Sequence, residues 1–178
     1  REGAAVLEHF VETYVYSPYR SAALSELGLA YLNLGDKKKS LSYYDMVVKT
    51  APQSSDAKDA LQGIRDIYVS EGDAGGYYTA DALYCLSDCY LKTGERSRAI
   101  ETLAALAGAG QNQYTHRALK TLAGMTFADE RFTEAAAAYR KLADAESTAA
   151  GKAEAMNGYV RATIAAGDEE RILSMADD

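Results

Sequence analysis

The chain has 178 residues, 48% of them apolar and 25% charged, with 14 Tyr, two Pro and no Trp. That balance excludes a disordered chain, and 19 Lys and Arg against 26 Asp and Glu leave a formal charge of −7 that opposes attachment to nucleic acid or anionic lipid. No apolar run approaches the roughly 18–20 residues that a helix needs to cross a bilayer, so direct membrane insertion is not expected.

Scarce Pro with abundant Ala and Leu predicts helices throughout, near 4–16, 20–34, 37–50, 54–71, 77–93, 96–108, 112–129, 132–146, 149–166 and 168–176. The first is expected to turn Val6 and Phe10 inward ahead of Pro18. In the second, Leu24, Leu27 and Tyr31 recur at three- and four-residue intervals, and Gly28 removes a side chain where a neighbouring helix must come close. Leu34-Gly35-Asp36 then closes it, with Gly for a left-handed turn and an acid at the start of the next helix. Ser40, Tyr44 and Val47 mark the inner face of the third helix, and Pro52 ends the unit.

The same Gly–acid turn follows at Glu71-Gly72-Asp73, Thr93-Gly94-Glu95 and Ala166-Gly167-Asp168. At Asp129-Glu130-Arg131 a residue other than Gly must carry it. The apolar frame recurs as Leu83, Leu86, Tyr90, Ala99, Leu103 and Leu106, again as Leu119, Leu122, Ala135, Tyr139 and Leu142, and more faintly as Met156, Tyr159 and Ile172. Pro18 and Pro52 stand 34 positions apart.

This pattern resembles the tetratricopeptide repeat (TPR), the helix–turn–helix unit of α-solenoids. Residues 21–54 match best, through Leu27, Gly28, Tyr31, Gly35, Tyr44 and Pro52. Leu24 stands where the family usually has Trp, and Ser40 where it has Ala. In later units Ser87 and Ala123 replace the small Gly, and Thr126 replaces the Tyr. The resemblance implies an all-α, right-handed solenoid of antiparallel helix pairs, each too thin to bury its apolar stripe without neighbours.

The expected organisation has two segments. An N-terminal one, 1–75, holds a half repeat at 4–18, a repeat at 21–54 and the first helix of a repeat at 56–72. A C-terminal one, 76–178, holds repeats at 80–113 and 116–149 and a partial one at 153–178. Phase breaks near 73–77: the units starting at Ser21 and Ala80 are 59 residues apart, nine short of two periods. Leu61, Ile64, Tyr68 and Gly72 make a good first helix, yet Gly76-Tyr77-Tyr78-Thr79-Ala80 echoes Ser17-Pro18-Tyr19-Arg20-Ser21, the lead-in to another first helix. Either the solenoid is irregular here, or a second helix of about 12 residues is omitted from the sequence near Gly75-Gly76; omission is the favoured reading.

Catalytic and metal constellations are not found. His9 and His116 belong to different units, no phosphate-binding or H-E-x-x-H motif occurs, and Cys85 and Cys89 alone do not close a zinc site. Two cysteines are too few for a disulfide framework, so the redox compartment stays open; buried packing is their expected role. Asp168-Glu169-Glu170 reads as favourable charge at a helix start. No enzyme activity, cofactor or metal is expected.

In a solenoid of this kind the first helices line the concave recognition wall. The repeat frame places Ser25, Leu29 and Asn33 there, then Gln62 and Asp66, then Tyr84, Asp88 and Lys92, then Arg117, Lys120 and Phe127, and last Asn157 and Arg161. The expected partner contacts are Tyr84, Asp88, Lys92, Arg117, Lys120, Asn157 and Arg161, with Arg117, Lys120 and Arg161 pointing to an acidic partner; an ordinary solvated face is the competing reading. The resemblance carries a negative too. The two-carboxylate clamp that some family members use on chaperone tails would fall on Ser25 and Leu29, which cannot make it.

The segment Tyr14-Val15-Tyr16-Ser17-Pro18-Tyr19-Arg20-Ser21-Ala22-Ala23-Leu24 resembles a lead-in of bacterial cell-envelope TPR proteins. It implies a periplasmic or outer-membrane-associated protein, with a cytoplasmic one as the alternative. Arg1 in place of Met reads as a fragment or processed chain, which leaves room for an upstream signal peptide or lipid anchor. The resulting expectation is a non-catalytic scaffold for a protein or peptide partner. A helical-repeat lipoprotein binding small ligands or glycans is the alternative, weakened by the absence of Trp.

Overall fold

The computed structural model describes residues 2–73, 76–168 and 170. Among them are nine helices and no strand: α1 (Glu2–Thr13), α2 (Arg20–Asn33), α3 (Lys37–Thr50), α4 (Ser55–Ser70), α5 (Tyr77–Thr93), α6 (Arg96–Gly108), α7 (Thr115–Ala128), α8 (Phe132–Ala145) and α9 (Ala149–Ala166). The all-α fold of antiparallel hairpins expected from the sequence is observed. The chain divides into two compact units, Arg1–Ala99 and Ile100–Asp178, with the division inside α6.

In the first unit α2 and α3 form a hairpin, with α1 against α2 and α4 packed on both. Leu24, Leu27 and Val47 are fully buried between them. Tyr44 fixes the spacing of three helices. Its ring passes so close to Gly28 of α2 on one side and Gly63 of α4 on the other that a Cβ at either would overlap it. The predicted close approach at Gly28 is therefore real, and the approaching group is an aromatic ring from the adjoining helix.

In α1 the buried residues are Ala4 and Val11, with Leu7 and Phe10 packed beside them. Val6, expected inward, is 70% exposed. The spacing 4, 7, 11 makes a tighter helical stripe than 6, 10, and it turns Val6 to solvent. Phe10 keeps its inward place.

α5 runs back along the whole of α4. Lys58 pairs with Glu95, Gln62 Nε2 donates to the Tyr90 hydroxyl at 2.8 Å, and Tyr68 stacks on Tyr78 with ring centroids 4.7 Å apart. Between them Asp73 holds the start of α5: its carbonyl accepts from the Gly76 N–H at 3.0 Å and its carboxylate from the Thr79 N–H at 3.2 Å. Gly75 lies outside the described residues, so the omitted-segment reading has no observation at the junction itself.

In the second unit α7 and α8 form a hairpin on which α9 stacks. Leu119, Leu142, Ala143 and Ala155 make one core cluster, and Ala135, Ala136, Tyr159 and Ala162 another. Tyr139 lies so close to Gly158 of α9 that a Cβ would overlap its ring, repeating the Tyr44–Gly63 contact. The expected helix over 168–176 falls almost entirely outside the described residues, as do Ile172 and Glu169.

Helix ends follow local chemistry. Asp36, Ser54 and Thr148 cap α3, α4 and α9 by accepting from the N–H groups of Lys39, Ala57 and Gly151. Gly35 closes α2 with φ of 80°, and Glu130 closes α7 with φ of 60°. Glu130 is the only residue other than Gly in the left-handed region among those described. The sequence frame assigned it that turn.

Candidate interaction surfaces

The second unit brings the predicted wall residues of two helices onto one exposed face. α7 contributes Arg117, Lys120 and Phe127, and α9 contributes Asn157 and Arg161. Lys120 Nζ pairs with Glu154 Oε1 at 3.4 Å across the two helices. The Arg161 guanidinium lies 5.3 Å from the centroid of the Phe127 ring, within cation–π reach. Arg117, Lys120, Asn157 and Arg161 are all exposed. Glu154, which the sequence reading did not place on the wall, offsets part of its positive charge.

The remaining predicted contacts stand on α5 in the first unit. Tyr84 and Asp88 are half-buried and Lys92 is exposed. Lys92 Nζ pairs with Asp88 Oδ2 at 2.6 Å, one turn apart, and the Asp88 hydrogen bond and charge hold the Lys92 ammonium above its ordinary range. These three residues lie on the helix that forms a hairpin with α4. Of the other wall positions in this unit, Leu29 and Asn33 are exposed, Gln62 is tied to Tyr90, and Asp66 is paired with Arg65 at 2.7 Å.

A polar cluster at the α1–α2–α3 junction escaped sequence reasoning. Glu8 Oε1 accepts from the Tyr31 hydroxyl at 2.6 Å and from the Tyr43 hydroxyl at 2.8 Å. Lys39 Nζ donates to the Tyr31 hydroxyl at 3.1 Å and sits 4.4 Å from that ring's centroid. The two rings stack with centroids 5.6 Å apart. Two hydroxyl donors hold the Glu8 carboxyl below its ordinary range, while burial and the Glu8 charge push the Tyr43 phenol up. Tyr43 directly precedes Tyr44 in sequence, and that Tyr-Tyr pair was the available signal.

The cysteines take packing roles. Cys89 is buried and its thiol donates to the Pro52 carbonyl, while Cys85 is half-buried. Burial pushes the Cys85 thiol up to about 11, so it is not a ready nucleophile at neutral pH. His116 pairs with Glu146 on the surface and His9 is exposed. Among the described residues no cluster of His, Cys, Asp or Glu could hold a metal ion, and no helix is long and apolar enough to cross a membrane.

The profile of the tetratricopeptide repeat family matches residues 22–54. No curated protein matches the chain in sequence. Similar solved structures include the nearly identical TPR-like repeats of a kinesin light chain from Podosopora anserina, at 16% identity and TM-score 0.46, covering 99% of this chain and 83% of that one. MamA protein is similar at 17% identity and TM-score 0.42, covering 89% of this chain and 88% of that one. The matched segment takes in all of the α2–α3 hairpin but its first two residues, including Gly28 against Tyr44 and Gly35 at the turn. Residues 22–54, most of the α2–α3 hairpin, are thus similar to a tetratricopeptide repeat.

Proposed function

We propose that the chain is a non-catalytic scaffold that holds an acidic protein or peptide on the exposed α7–α9 face, within a bacterial envelope assembly in the periplasm or at the outer membrane. The observation that carries this reading is the joint exposure of Arg117, Lys120, Asn157 and Arg161 on two helices of one unit that the Lys120–Glu154 and Arg161–Phe127 contacts bridge. Arg161 over Phe127 supplies the pairing of a cation with an aromatic ring that anchors many protein interfaces. Repeat proteins of this fold generally serve as protein-binding scaffolds, and the envelope setting rests on the lead-in around Tyr14–Leu24. Affinity would come from a few such anchors desolvated on binding, with the rest of the surface excluding water.

The test is affinity capture from bacterial envelope fractions with the wild-type chain and with an Arg117→Glu, Lys120→Glu variant. The expected result is a specific acidic partner recovered with wild type and lost with the variant. Equal recovery with both would remove the α7–α9 face from the reading.

A further inference from the structure

We propose that Tyr68 and Tyr78 form an oxidative cross-linking site. There a haem peroxidase consuming hydrogen peroxide joins the two rings by a carbon–carbon bond and ties the end of α4 to the start of α5. The rings lie nearly parallel, at 13°, with centroids 4.7 Å apart, so they are in contact face to face. Tyr78 is 55% exposed, which leaves its ring open to an external oxidant, and Tyr68 is half-buried against it. Tyr77, also exposed, meets Tyr78 edge-on with centroids 5.4 Å apart and offers a second point of entry. Asp73 braces the intervening turn by accepting from the Gly76 and Thr79 N–H groups, so the two helix ends are in register before any bond forms.

The chemistry balances with these two phenols and one oxidant. Each phenol gives up one electron and one proton, which leaves two phenoxyl radicals side by side. Their unpaired electrons combine into a bond between ring carbons next to the hydroxyls. The hydrogens on those two carbons then move to the oxygens and restore both phenols. Two electrons and two protons have left the pair, and with them one hydrogen peroxide becomes two waters. Stacking supplies the proximity that the coupling step needs, whereas a radical on a lone surface ring must wait for another chain. Tyr78 stands in the first turn of α5, and its exposure leaves room for the ring to tilt as the bond forms.

The fold favours this pair over a second stacked pair. Tyr31 and Tyr43 are also nearly parallel, at 14°, but their centroids are 5.6 Å apart and both rings are half-buried. Both hydroxyls are held by Glu8. The Lys39 ammonium, 4.4 Å from the Tyr31 centroid, opposes removal of an electron from that ring. The charged side chains acting on Tyr68 are instead the carboxylates of Glu71, Asp73 and Asp45. Tyr14, exposed after α1, faces Phe10, which has no phenol to couple.

The site lies in the first unit and does not rest on the α7–α9 reading, so either can fail while the other stands. In the test, the full chain in dilute solution is treated with a haem peroxidase and hydrogen peroxide, then reduced, alkylated and digested with trypsin. Reduction removes any disulfide of Cys85 and Cys89, which lie in the same tryptic peptide, 66–92, as both tyrosines. The expected product is a monomer whose peptide 66–92 has lost two hydrogen atoms. It fluoresces as dityrosine and gives no backbone fragment between 68 and 78. Tyr68→Phe and Tyr78→Phe keep an aromatic ring in the stack and should each abolish that product, while Tyr77→Phe should retain it. A synthetic peptide 66–92, which lacks the fold, should yield roughly tenfold less, because distant parts of a flexible segment meet only part of the time. A bond mapped to any other pair of tyrosines, persistence of the mass loss in Tyr68→Phe, or its absence from Tyr77→Phe would overturn the proposal. So would equal yield from the peptide, or no intrachain bond in wild type.

Discussion

Tyr44 occupies a slot that only glycine leaves open. With Gly28 on one flank and Gly63 on the other, a methyl group at either position must move an aromatic ring that is itself wedged between helices. Gly28→Ala is therefore expected to destabilise the first unit by about 1–3 kcal/mol, the usual cost of overpacking a core, read from the shift in urea midpoint. The matched control is Gly124→Ala in α7, where nothing lies within 4 Å of the new methyl group. Relief of the helical glycine penalty should there raise stability by about 0.5–1 kcal/mol. If both substitutions shift the midpoint the same way, steric conflict at Tyr44 is not what makes Gly28 special. Glu130 offers the reverse case, since its φ of 60° imposes on an L side chain a cost of roughly 1–2 kcal/mol. Glu130→Gly should recover about 1 kcal/mol of that in thermal unfolding, the rest being lost to glycine's larger unfolded-state entropy.

At the scale of the helix, the sequence was most informative about period and least about neighbours. Most predicted helix ends lie close to those observed, because caps and left-handed turns are local. Where they differ the reason is local too: α7 begins at Thr115 because Asn112 accepts from the Tyr114 N–H and Thr115 Oγ1 accepts from the Asn112 N–H, a turn that postpones the helix. An apolar stripe tells which face is buried, and leaves open which helix will bury it. Thus Leu83, Leu86 and Tyr90 were legible as core, while the antiparallel pairing of α5 with α4 was not. The Glu8–Tyr31–Tyr43–Lys39 cluster was invisible for the same reason, since its members come from three helices.

That cluster makes a prediction about pH. The folded state holds the Glu8 carboxyl below its ordinary range, through hydroxyl donation first from Tyr31 and then from Tyr43. A depressed carboxylate contributes stability that is fully present above its unfolded pKa, near 4.5, and is lost as pH falls through the lower folded value. Stability of the wild type should thus decline from about pH 5 downward partly through this group. Glu8→Ala should cost about 1.5–3 kcal/mol at neutral pH, as expected for hydrogen bonds to a charged acceptor, and its deficit should shrink as the medium is acidified. A deficit of constant size between pH 7 and pH 3 in chemical denaturation would show that packing, and not the ionised carboxylate, is what Glu8 supplies.

At the scale of the whole molecule, the net charge of −7 makes any exposed cation a candidate for partner contact, but it does not say whether that cation is already spent. Lys120 is the test case, because it sits on the proposed face and also pairs with Glu154 at 3.4 Å. Both side chains are more than half exposed, and such surface pairs are worth about 0–1 kcal/mol. Lys120→Glu should therefore barely move the unfolding midpoint, while an acidic partner on the α7–α9 face should lose affinity by roughly tenfold, equivalent to about 1.4 kcal/mol. Adding Glu154→Lys restores opposite charges within the chain and returns one cation to the face, displaced to α9. If the partner reads the net charge of the face, the swapped variant recovers most of its affinity and the salt dependence of binding returns with it. If the partner makes a direct contact at Lys120, the swap recovers the salt dependence without the affinity, since the cation is then in the wrong place for the partner's carboxylate. Titration of wild type, single and swapped variants at low and high salt separates these two modes. Unchanged affinity in the single variant would exclude both.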